Sequence, residues 1–289
     1  DCFYAQLWRD VARTPRLARL VPAETRDLHN GDVPIFHARP GEVHLWDSHG
    51  QCIPDFLPHS GMAQAVQRLR ALNEQDLGRQ LWYIQASFAT MNSSDGHASV
   101  HTTVTAPAAG GGAVDFVAAA RAIGDRLAQT AYRHGAHAVW IGLGLDGSDA
   151  WSLAPLTMHL YDGHAGVALF LAYLGKVTGE LRYTDLAAAT LATLRVQVAE
   201  QRATFYHPGG FSGWGGVIYT LTQLGALWQA PALWQEAALL AEVAVSRLEK
   251  DEQFDVIGGA AGLIGALAAL GRCTGDASLA NYVVHAADH

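Results

Sequence analysis

The sequence predicts a mainly α-helical protein whose C-terminal part is an α/α toroid, and two observations carry this prediction. Three segments superimpose without a gap, and each is opened by Gly-x-x-Gly and closed by a glycine: GHAGVALFLAYLG from Gly163, GWGGVIYTLTQLG from Gly213 and GAAGLIGALAALG from Gly259. Their starts lie 50 and 46 residues apart, a period typical of helical repeats. Helical pairs that close on themselves form a toroid, whereas pairs left open form an α-solenoid.

Each repeat is predicted to hold two helices. The helix that opens at the glycine box is small and apolar on all sides, so it should be buried, with the glycines letting neighbouring backbones approach. The second helix, as in TDLAAATLATLRVQVAEQ and ALWQEAALLAEVAVSRLEK, carries its charges on one face and should lie outside. Three repeats leave an open edge, and the chain starts without Met and stops within a helical pattern. We therefore expect a fragment of a longer protein.

The chain before the repeats is expected to form a separate domain. Residues 93–113 are rich in Ser, Thr, Ala and Gly without an apolar period, which predicts a flexible linker between domains at residues 1–92 and 114–289. Two amphipathic helices before the linker, the second capped by Asn73, are predicted by seven apolar residues: Val66, Leu69, Leu72, Leu77, Leu81, Ile84 and Phe88. Residues 30–56 contain several prolines and glycines, which favour loops and a hairpin.

A further helix is predicted directly after the linker, over residues 114–132. Its apolar face comprises five residues at helical spacing: Phe116, Ala120, Ile123, Leu127 and Ala131.

Composition excludes several classes of function. The net charge of -8, with no block of Lys or Arg, lacks the positive patch typical of proteins that bind nucleic acid or anionic membranes. The richest apolar runs are interrupted before about 18 residues, so no stable membrane insertion is expected. Cys2, Cys52 and Cys273 stand far apart, which predicts neither a disulfide framework nor a zinc knuckle and favours a reducing cytoplasm.

Two aspartates near the glycine boxes are candidate functional residues. Asp162 directly precedes the first box, where an aspartate is more often a helix N-cap than a catalytic or metal-binding carboxylate. His164 aligns with Trp214 and Ala260 of the other boxes, which indicates a packing position. Asp255 lies four residues before the third box, where it would face the centre of a closed toroid. Partial burial there would suit a carboxylate for proton transfer, although a cap remains the simpler interpretation.

The remaining polar residues predict no complete active site. His97 and His101 have metal-pair spacing but lie in the linker, and His134 and His137 have no nearby Cys or carboxylate, so both pairs are predicted to be solvated. Four residues in the loop-rich part could form the edge of a site: Asp27, His29, Asp32 and His37. The sequence contains no P-loop, no Gly-x-Ser-x-Gly and no His-Glu-x-x-His motif.

These motifs resemble the class II lanthipeptide synthetases, the LanM proteins, which join a kinase-like α+β dehydratase domain to a LanC-like cyclase domain. LYDGHAGVALFLAYLG, GGFSGWGGVIYTLTQLG and FDVIGGAAGLIGAL are similar to three consecutive cyclase boxes in the family's order, and AVWIGL and LAPLTMHLYDG resemble the start of that domain. DLHNGDVPIFHARPG and LNEQDLGRQLWYIQASF resemble the end of the dehydratase. The resemblance covers nearly the whole chain.

The resemblance implies a bifunctional cytoplasmic enzyme that acts on a leader-bearing precursor peptide. The dehydratase would use ATP and Mg²⁺ to convert Ser and Thr to dehydroamino acids, and the cyclase would add Cys thiols to them to form lanthionine and methyllanthionine rings. Asp255 matches the aspartate of the family's Asp-Val-Ile-x-Gly motif, which is implicated in cyclisation. The zinc ligands are expected after residue 289 and the ATP and Mg²⁺ sites before residue 1, so no metal ligand is assigned here and the fragment alone should be inactive.

Two other classes of function remain open. A carbohydrate-active (α/α)-barrel enzyme would need a pair of carboxylates at the barrel mouth, and Asp162 and Asp255 are available, although their positions relative to their boxes differ by three residues. A non-catalytic helical-repeat scaffold would bind a peptide along a concave face. Such a scaffold would keep its function when Asp255 is replaced by Asn, whereas a cyclase would not.

Overall fold

The structure, a computed structural model, describes residues 2–93, 115–145 and 151–289. Residues 94–113 of the predicted linker, with His97 and His101, therefore lie outside the described residues. Contacts divide the chain into two units, Asp1–Gly78 and Arg79–His289, and the predicted domain limits at residues 92 and 114 stay predictions. None of the described helices is long and apolar enough to cross a membrane.

The first unit consists of short helices and a hairpin. Its elements are α1 Cys2–Arg13, a 3-10 helix Pro15–Arg19, α2 Val21–His29, the antiparallel strands β1 Leu45–Trp46 and β2 Cys52–Ile53, α3 Gly61–Ala71 and the start of α4 Glu74–Ser93. Ser60 Oγ accepts the Ala63 N–H at 3.2 Å to start α3, and Asn73 Oδ1 accepts the Asp76 N–H at 3.0 Å to start α4. The predicted hairpin, the two helices and the Asn73 cap are thus confirmed.

The second unit places the rest of α4, one further helix and two hairpins before the repeats. Its elements here are α5 Phe116–Thr130, the antiparallel pair β3 Tyr132–His134 and β4 His137–Val139, and the antiparallel pair β5 Ile141–Leu145 and β6 Trp151–Pro155. The predicted apolar face of α5 is wrong at Phe116 and Ile123, which are exposed. Gly124 is buried instead, because without a Cβ it admits the side chains of Leu174 and Tyr183.

Three helical pairs follow, as the repeats predict. They are α6 His164–Thr178 with α7 Leu181–Gln201, α8 Trp214–Trp228 with α9 Pro231–Val245, and α10 Ala260–Thr274 with α11 Leu279–Asp288, and a 3-10 helix Leu248–Lys250 follows α9. Helix α8 packs against both α6 and α10, so the box helices form an inner row, and each of the other helices packs against its own box helix. Leu171, Ile218 and Leu267 of the inner row are fully buried. The mainly α fold and the inner and outer roles are confirmed.

The box glycines allow the backbones of neighbouring repeats to touch. A Cβ added at Gly262 would lie 2.1 Å from the backbone nitrogen of Gly210. One added at Gly209, in the loop before the second box, would lie 2.1 Å from the carbonyl oxygen of Ile257. Side chains do not approach backbone atoms so closely. The predicted close approach of backbones at the glycines is confirmed, but at Gly262 the neighbour is the loop before α8 and not the next inner helix itself.

Candidate functional site

The loops that precede the three inner helices are joined to one another by backbone hydrogen bonds. The carbonyl oxygen of Phe211 accepts the N–H groups of Leu160 and Tyr161 at 3.0 and 3.2 Å. The carbonyl oxygen of Ile257 in turn accepts the N–H groups of Phe211 and Ser212 at 3.1 and 2.9 Å. The loops therefore form one continuous, internally bonded surface at one end of the inner row, and we call it the box-loop surface.

Large apolar side chains project from the box-loop surface at equivalent positions. Tyr161, Phe211 and Ile257 each lie two residues before the glycine that opens their box, and all three are exposed. The rings of Tyr161 and Phe211 meet edge to face at 6.5 Å between centroids. A row of exposed apolar groups on fixed backbone is typical of a surface that contacts a partner.

Asp255 lies on the box-loop surface, with one carboxylate oxygen fixed and the other free. Its Oδ1 accepts the N–H groups of Gly258 and Gly259 at 2.7 and 3.1 Å. No hydrogen bond from the described residues reaches Oδ2, and the residue is exposed. The expected partial burial of Asp255 is wrong, because only the Oδ1 side of the carboxylate turns toward the backbone. The free oxygen can accept or deliver a proton in contact with a bound molecule.

Asp251 is a buried carboxylate that sequence reasoning missed. Its Oδ2 accepts the Ala260 N–H at 2.7 Å and the Phe254 N–H at 3.3 Å, and its Oδ1 accepts the Gln253 N–H at 3.0 Å. Because Ala260 is the first residue of α10, Asp251 performs the capping role from nine residues upstream. Capping rules inspect the residues next to a helix start, so only the local pattern of an Asp before a tight turn could have indicated this residue.

The predicted N-cap role of Asp162 is wrong. The N-cap residue of α6 is Gly163, which has no side chain to offer, and the carbonyl oxygen of Thr157 accepts the His164 N–H at 2.8 Å. Asp162 is exposed and accepts the Thr157 hydroxyl at 3.2 Å, with His159 Nδ1 at 3.5 Å. The chain before α6 turns back on itself, so a backbone carbonyl caps the helix and the aspartate one residue before the cap is left at the surface.

His164 is a packing residue, as predicted, and it also holds the first box loop. It is 1% exposed, and its ring lies 6.0 Å from that of Trp140. Its Nδ1 lies 3.1 Å from the carbonyl oxygen of Thr157 and 3.0 Å from Oε1 of Gln197. Both partners are acceptors, so Nδ1 carries the hydrogen. Burial lowers the pKa of His164 below its ordinary value of 6.5.

The lowered pKa of His164 predicts a pH-dependent stability. Because the folded state resists protonation, the unfolded chain binds more protons below about pH 6.5, and the free energy of unfolding should fall as the pH falls through that value. His159, whose pKa is also lowered by burial, contributes in the same direction. Replacing His164 by Leu should flatten the dependence in urea unfolding between about pH 5 and 8.

The exposed His134 provides the matched control for this measurement. His134→Gln should keep the wild-type dependence on pH. An unchanged slope in His164→Leu, or an equal flattening in His134→Gln, would contradict a buried neutral His164.

The side chains of the four polar residues predicted near a site edge have separate partners, although the Asp32 N–H donates to the carbonyl oxygen of Asp27 at 2.9 Å. Asp32 Oδ1 accepts the Val33 N–H at 2.8 Å, and the His37 ring stacks on Trp46 at 5.9 Å. His29 is exposed at the end of α2. Only Asp27 joins a cluster, and its partners were not predicted.

The cluster around Asp27 is an ion-pair network within the first unit in which the two aspartates are buried and their cationic partners are partly exposed. Asp27 accepts the Ser48 hydroxyl at 2.5 Å and lies 3.2 Å from His49 Nε2, while Arg26 Nη2 donates to Asp47 at 2.6 Å. Burial alone would raise the pKa of Asp47, but Arg26 and the backbone N–H groups of the following turn hold that pKa below its usual 3.8. The network ties α2 to the β1–β2 turn.

The described residues do not assemble a metal site. Across the described ranges, no group of three or more His, Cys, Asp and Glu side chains could hold a metal ion. Cys52 is exposed and Cys273 partly exposed, and neither forms a disulfide. His134 and His137 face each other across a tight hairpin, with His134 exposed and His137 partly buried. These residues therefore do not fit the zinc that the resemblance implies.

Comparison with known proteins identifies one domain. Residues 154–288, which hold the three helical pairs and the box-loop surface, match the family model described as lanthionine synthetase C-like protein. The comparison with curated proteins found no significant match. The LanC-like resemblance of the boxes is thus confirmed for the second part of the chain, and the match does not extend to the residues that resemble a dehydratase.

Proposed function

We propose that the chain is part of a class II lanthipeptide synthetase and that its three helical pairs belong to the cyclase. The observation that carries this proposal is Asp255, which stands in an Asp-Val-Ile-Gly-Gly sequence within the LanC-like match and has one oxygen free on the box-loop surface. The family description points to lanthionine formation, and the site offers a group suited to proton transfer. Closure of the pairs into a toroid belongs to the same proposal.

The proposed reaction adds a Cys thiol of the precursor peptide across the double bond of a dehydroamino acid. The sulfur loses its proton and bonds to the β-carbon, the π electrons move toward the α-carbon and its carbonyl, and a proton then bonds to the α-carbon. No oxidant or reductant is needed. Oδ2 of Asp255 would exchange a proton with the reacting peptide while Oδ1 stays bonded to Gly258 and Gly259, which keeps the carboxylate in one orientation.

Zinc supplies thiolate at neutral pH in a complete cyclase, because a metal-bound thiol loses its proton readily. The described residues do not fit that ion, and no step is assigned to it here. The dehydratase part, with its ATP and Mg²⁺, rests on the resemblance of residues 1–92 alone. A leader-bearing precursor peptide as partner and a cytoplasmic location belong to the same proposal.

The full-length gene product provides the test. Incubated with ATP, Mg²⁺, zinc and the precursor peptide encoded beside it, the protein should remove water from Ser and Thr residues and then consume free Cys thiols. Mass spectrometry measures the dehydration, and alkylation with N-ethylmaleimide measures the thiols that remain. Dehydration without loss of thiols would contradict the cyclase. If neither dehydration nor loss of thiols occurs, the peptide-binding scaffold becomes the better hypothesis.

The carbohydrate-active alternative is less well supported by the geometry. Its two candidate carboxylates, Asp162 and Asp255, lie on the first and third box loops, and the loop of the second box bonds to both of those loops and lies between them. A catalytic pair of carboxylates must flank a single glycosidic bond. Hydrolysis of an oligosaccharide by the full-length protein would favour this alternative over the cyclase.

A further inference from the structure

We infer that Asp251 is a positioning residue for Asp255, an inference that rests on the proposed role of Asp255 in cyclisation. Asp251 does not reach the surface, since it is 5% exposed. It acts through the backbone of the segment 251–260, which connects its own carboxylate to that of Asp255.

The first step is the contact pattern of Asp251. Its two oxygens bind three N–H groups, and these belong to both ends of the segment: Gln253 and Phe254 at the start, and Ala260 at the first turn of α10. A carboxylate that bonds to backbone on both sides of a loop fixes the path between them. The path contains Asp255, whose side chain is bonded to the N–H groups of Gly258 and Gly259 and to no other group among the described residues.

The second step is the backbone conformation next to Asp255. Phe254 has a φ of 57°, in the left-handed region that is uncommon for residues other than Gly, Asn and Asp, and least suited to bulky side chains. Such a conformation persists only where surrounding bonds determine it. The bond from Phe254 N–H to Asp251 Oδ2 acts on this residue directly. Asp251 thus holds the strained residue that sets the direction of the Asp255 side chain.

The third step is the consequence for the free oxygen. With Asp251 in place, Asp255 Oδ1 meets Gly258 and Gly259, and Oδ2 is left outward. Without Asp251, Phe254 can relax to negative φ, which rotates the following peptide and moves the Asp255 carboxylate away from the two glycine amides. Misplacement of a catalytic group by about 1 Å can cost about 100-fold in rate.

A structural measurement tests the positioning without any activity. In Asp251→Ala, amide hydrogen exchange at Gly258, Gly259 and Ala260 should accelerate by about tenfold or more relative to the exchange of the α8 amides, because their acceptors are lost or displaced. Asp251→Asn keeps one acceptor oxygen and should show a smaller acceleration. Asp276→Asn alters an exposed carboxylate that likewise binds a backbone N–H, that of Ser278, and should leave these amides unchanged. Unchanged exchange at Gly258 and Gly259 in Asp251→Ala would overturn the inference.

A kinetic measurement on the full-length gene product separates positioning from stability. Asp251→Ala should lower kcat for cyclisation by about tenfold or more while KM changes by less than about twofold, with Asp251→Asn between it and the wild type. Leu194→Ala, a core substitution on α7 with a comparable expected loss of stability, should keep kcat per folded molecule. If kcat per folded molecule falls equally in Asp251→Ala and Leu194→Ala, Asp251 is only a structural cap and the inference is overturned.

The two proposals fail in different ways. If Asp255→Asn cyclises at the wild-type rate, the proposed role of Asp255 fails, and the positioning of a catalytic group fails with it even where the exchange result is as expected. If Asp255→Asn is slow but Asp251→Ala is not, the function stands and only the inference about Asp251 is overturned.

Discussion

Replacing Gly262 by Ala should destabilise the folded chain by about 3 kcal/mol or more, at the upper end of what overpacking costs. The added Cβ would lie 2.1 Å from the backbone nitrogen of Gly210 and 2.2 Å from the carbonyl oxygen of Val256. Both neighbours are backbone atoms that bond to each other at 3.0 Å, so neither can rotate out of the way as a side chain would. The second and third box loops must separate instead. Urea unfolding of the chain measures the loss.

Gly265→Ala is the matched control for Gly262→Ala. Gly265 lies on the same helix, α10, three residues further along, and a Cβ there would meet nothing within 4 Å. The same substitution should therefore stabilise the chain by about 0.5–1 kcal/mol, the usual gain of Ala over Gly in a helix. Similar changes at both positions would show that helix propensity decides the outcome and that the contact between box loops does not.

The opposite expectations for these two glycines show what the sequence can predict about the fold. Gly262 occupies the second glycine of a box that recurs three times, whereas Gly265 has no counterpart in the box at Gly163 or at Gly213, where Leu169 and Tyr219 take its place. Recurrence at one position of a repeat indicates a shared geometric need, and close backbone approach is a need that only glycine meets. For this reason the helical pairs and the inner position of the box helices could be predicted.

Details that depend on how a loop folds could not be predicted. The N-cap prediction for Asp162 assumed that the chain enters α6 directly, but the loop turns back and brings the carbonyl oxygen of Thr157 to the helix start. Asp251 caps α10 from nine residues upstream, beyond the reach of rules that inspect only the residues next to a helix start. In α5 small and apolar residues occur on more than one face, so the buried face was decided by the fit of Gly124 to α6 and α7.

Of the candidate site, only the residue Asp255 was predicted, and its contacts and surroundings were not. The resemblance assigned Asp255, and the structure adds which oxygen is bound, which is free and which exposed apolar residues lie on the same surface. The row of Tyr161, Phe211 and Ile257 could have been found from the sequence by aligning the residues before the boxes as well as the boxes themselves. The ion-pair network of Asp27 could not, because Asp47 and His49 are distant in sequence and nothing but the fold brings them to α2.

Replacing Asp255 by Asn should slow cyclisation by the full-length gene product by about 100-fold or more, the range that general acid–base groups contribute. Asparagine keeps an oxygen that can accept the N–H groups of Gly258 and Gly259, so the loop and the stability should change little. The amide nitrogen that replaces Oδ2 cannot carry a proton back and forth. Dehydration of Ser and Thr should continue at its usual rate, and the dehydrated peptide should accumulate with free thiols or with misplaced rings.

Asp162→Asn is the control, since Asp162 is also an exposed aspartate on the box-loop surface but lies outside the Asp-Val-Ile-x-Gly motif. It should cyclise at the wild-type rate, and both variants should unfold at the same urea concentration as the wild type. If Asp255→Asn cyclises at the wild-type rate, Asp255 has no catalytic role, and this surface would only bind the peptide. Equal slowing by both variants would instead indicate that the rate is governed by the negative charge of the surface, which attracts cationic peptides. Proton transfer at one oxygen would then not be the cause.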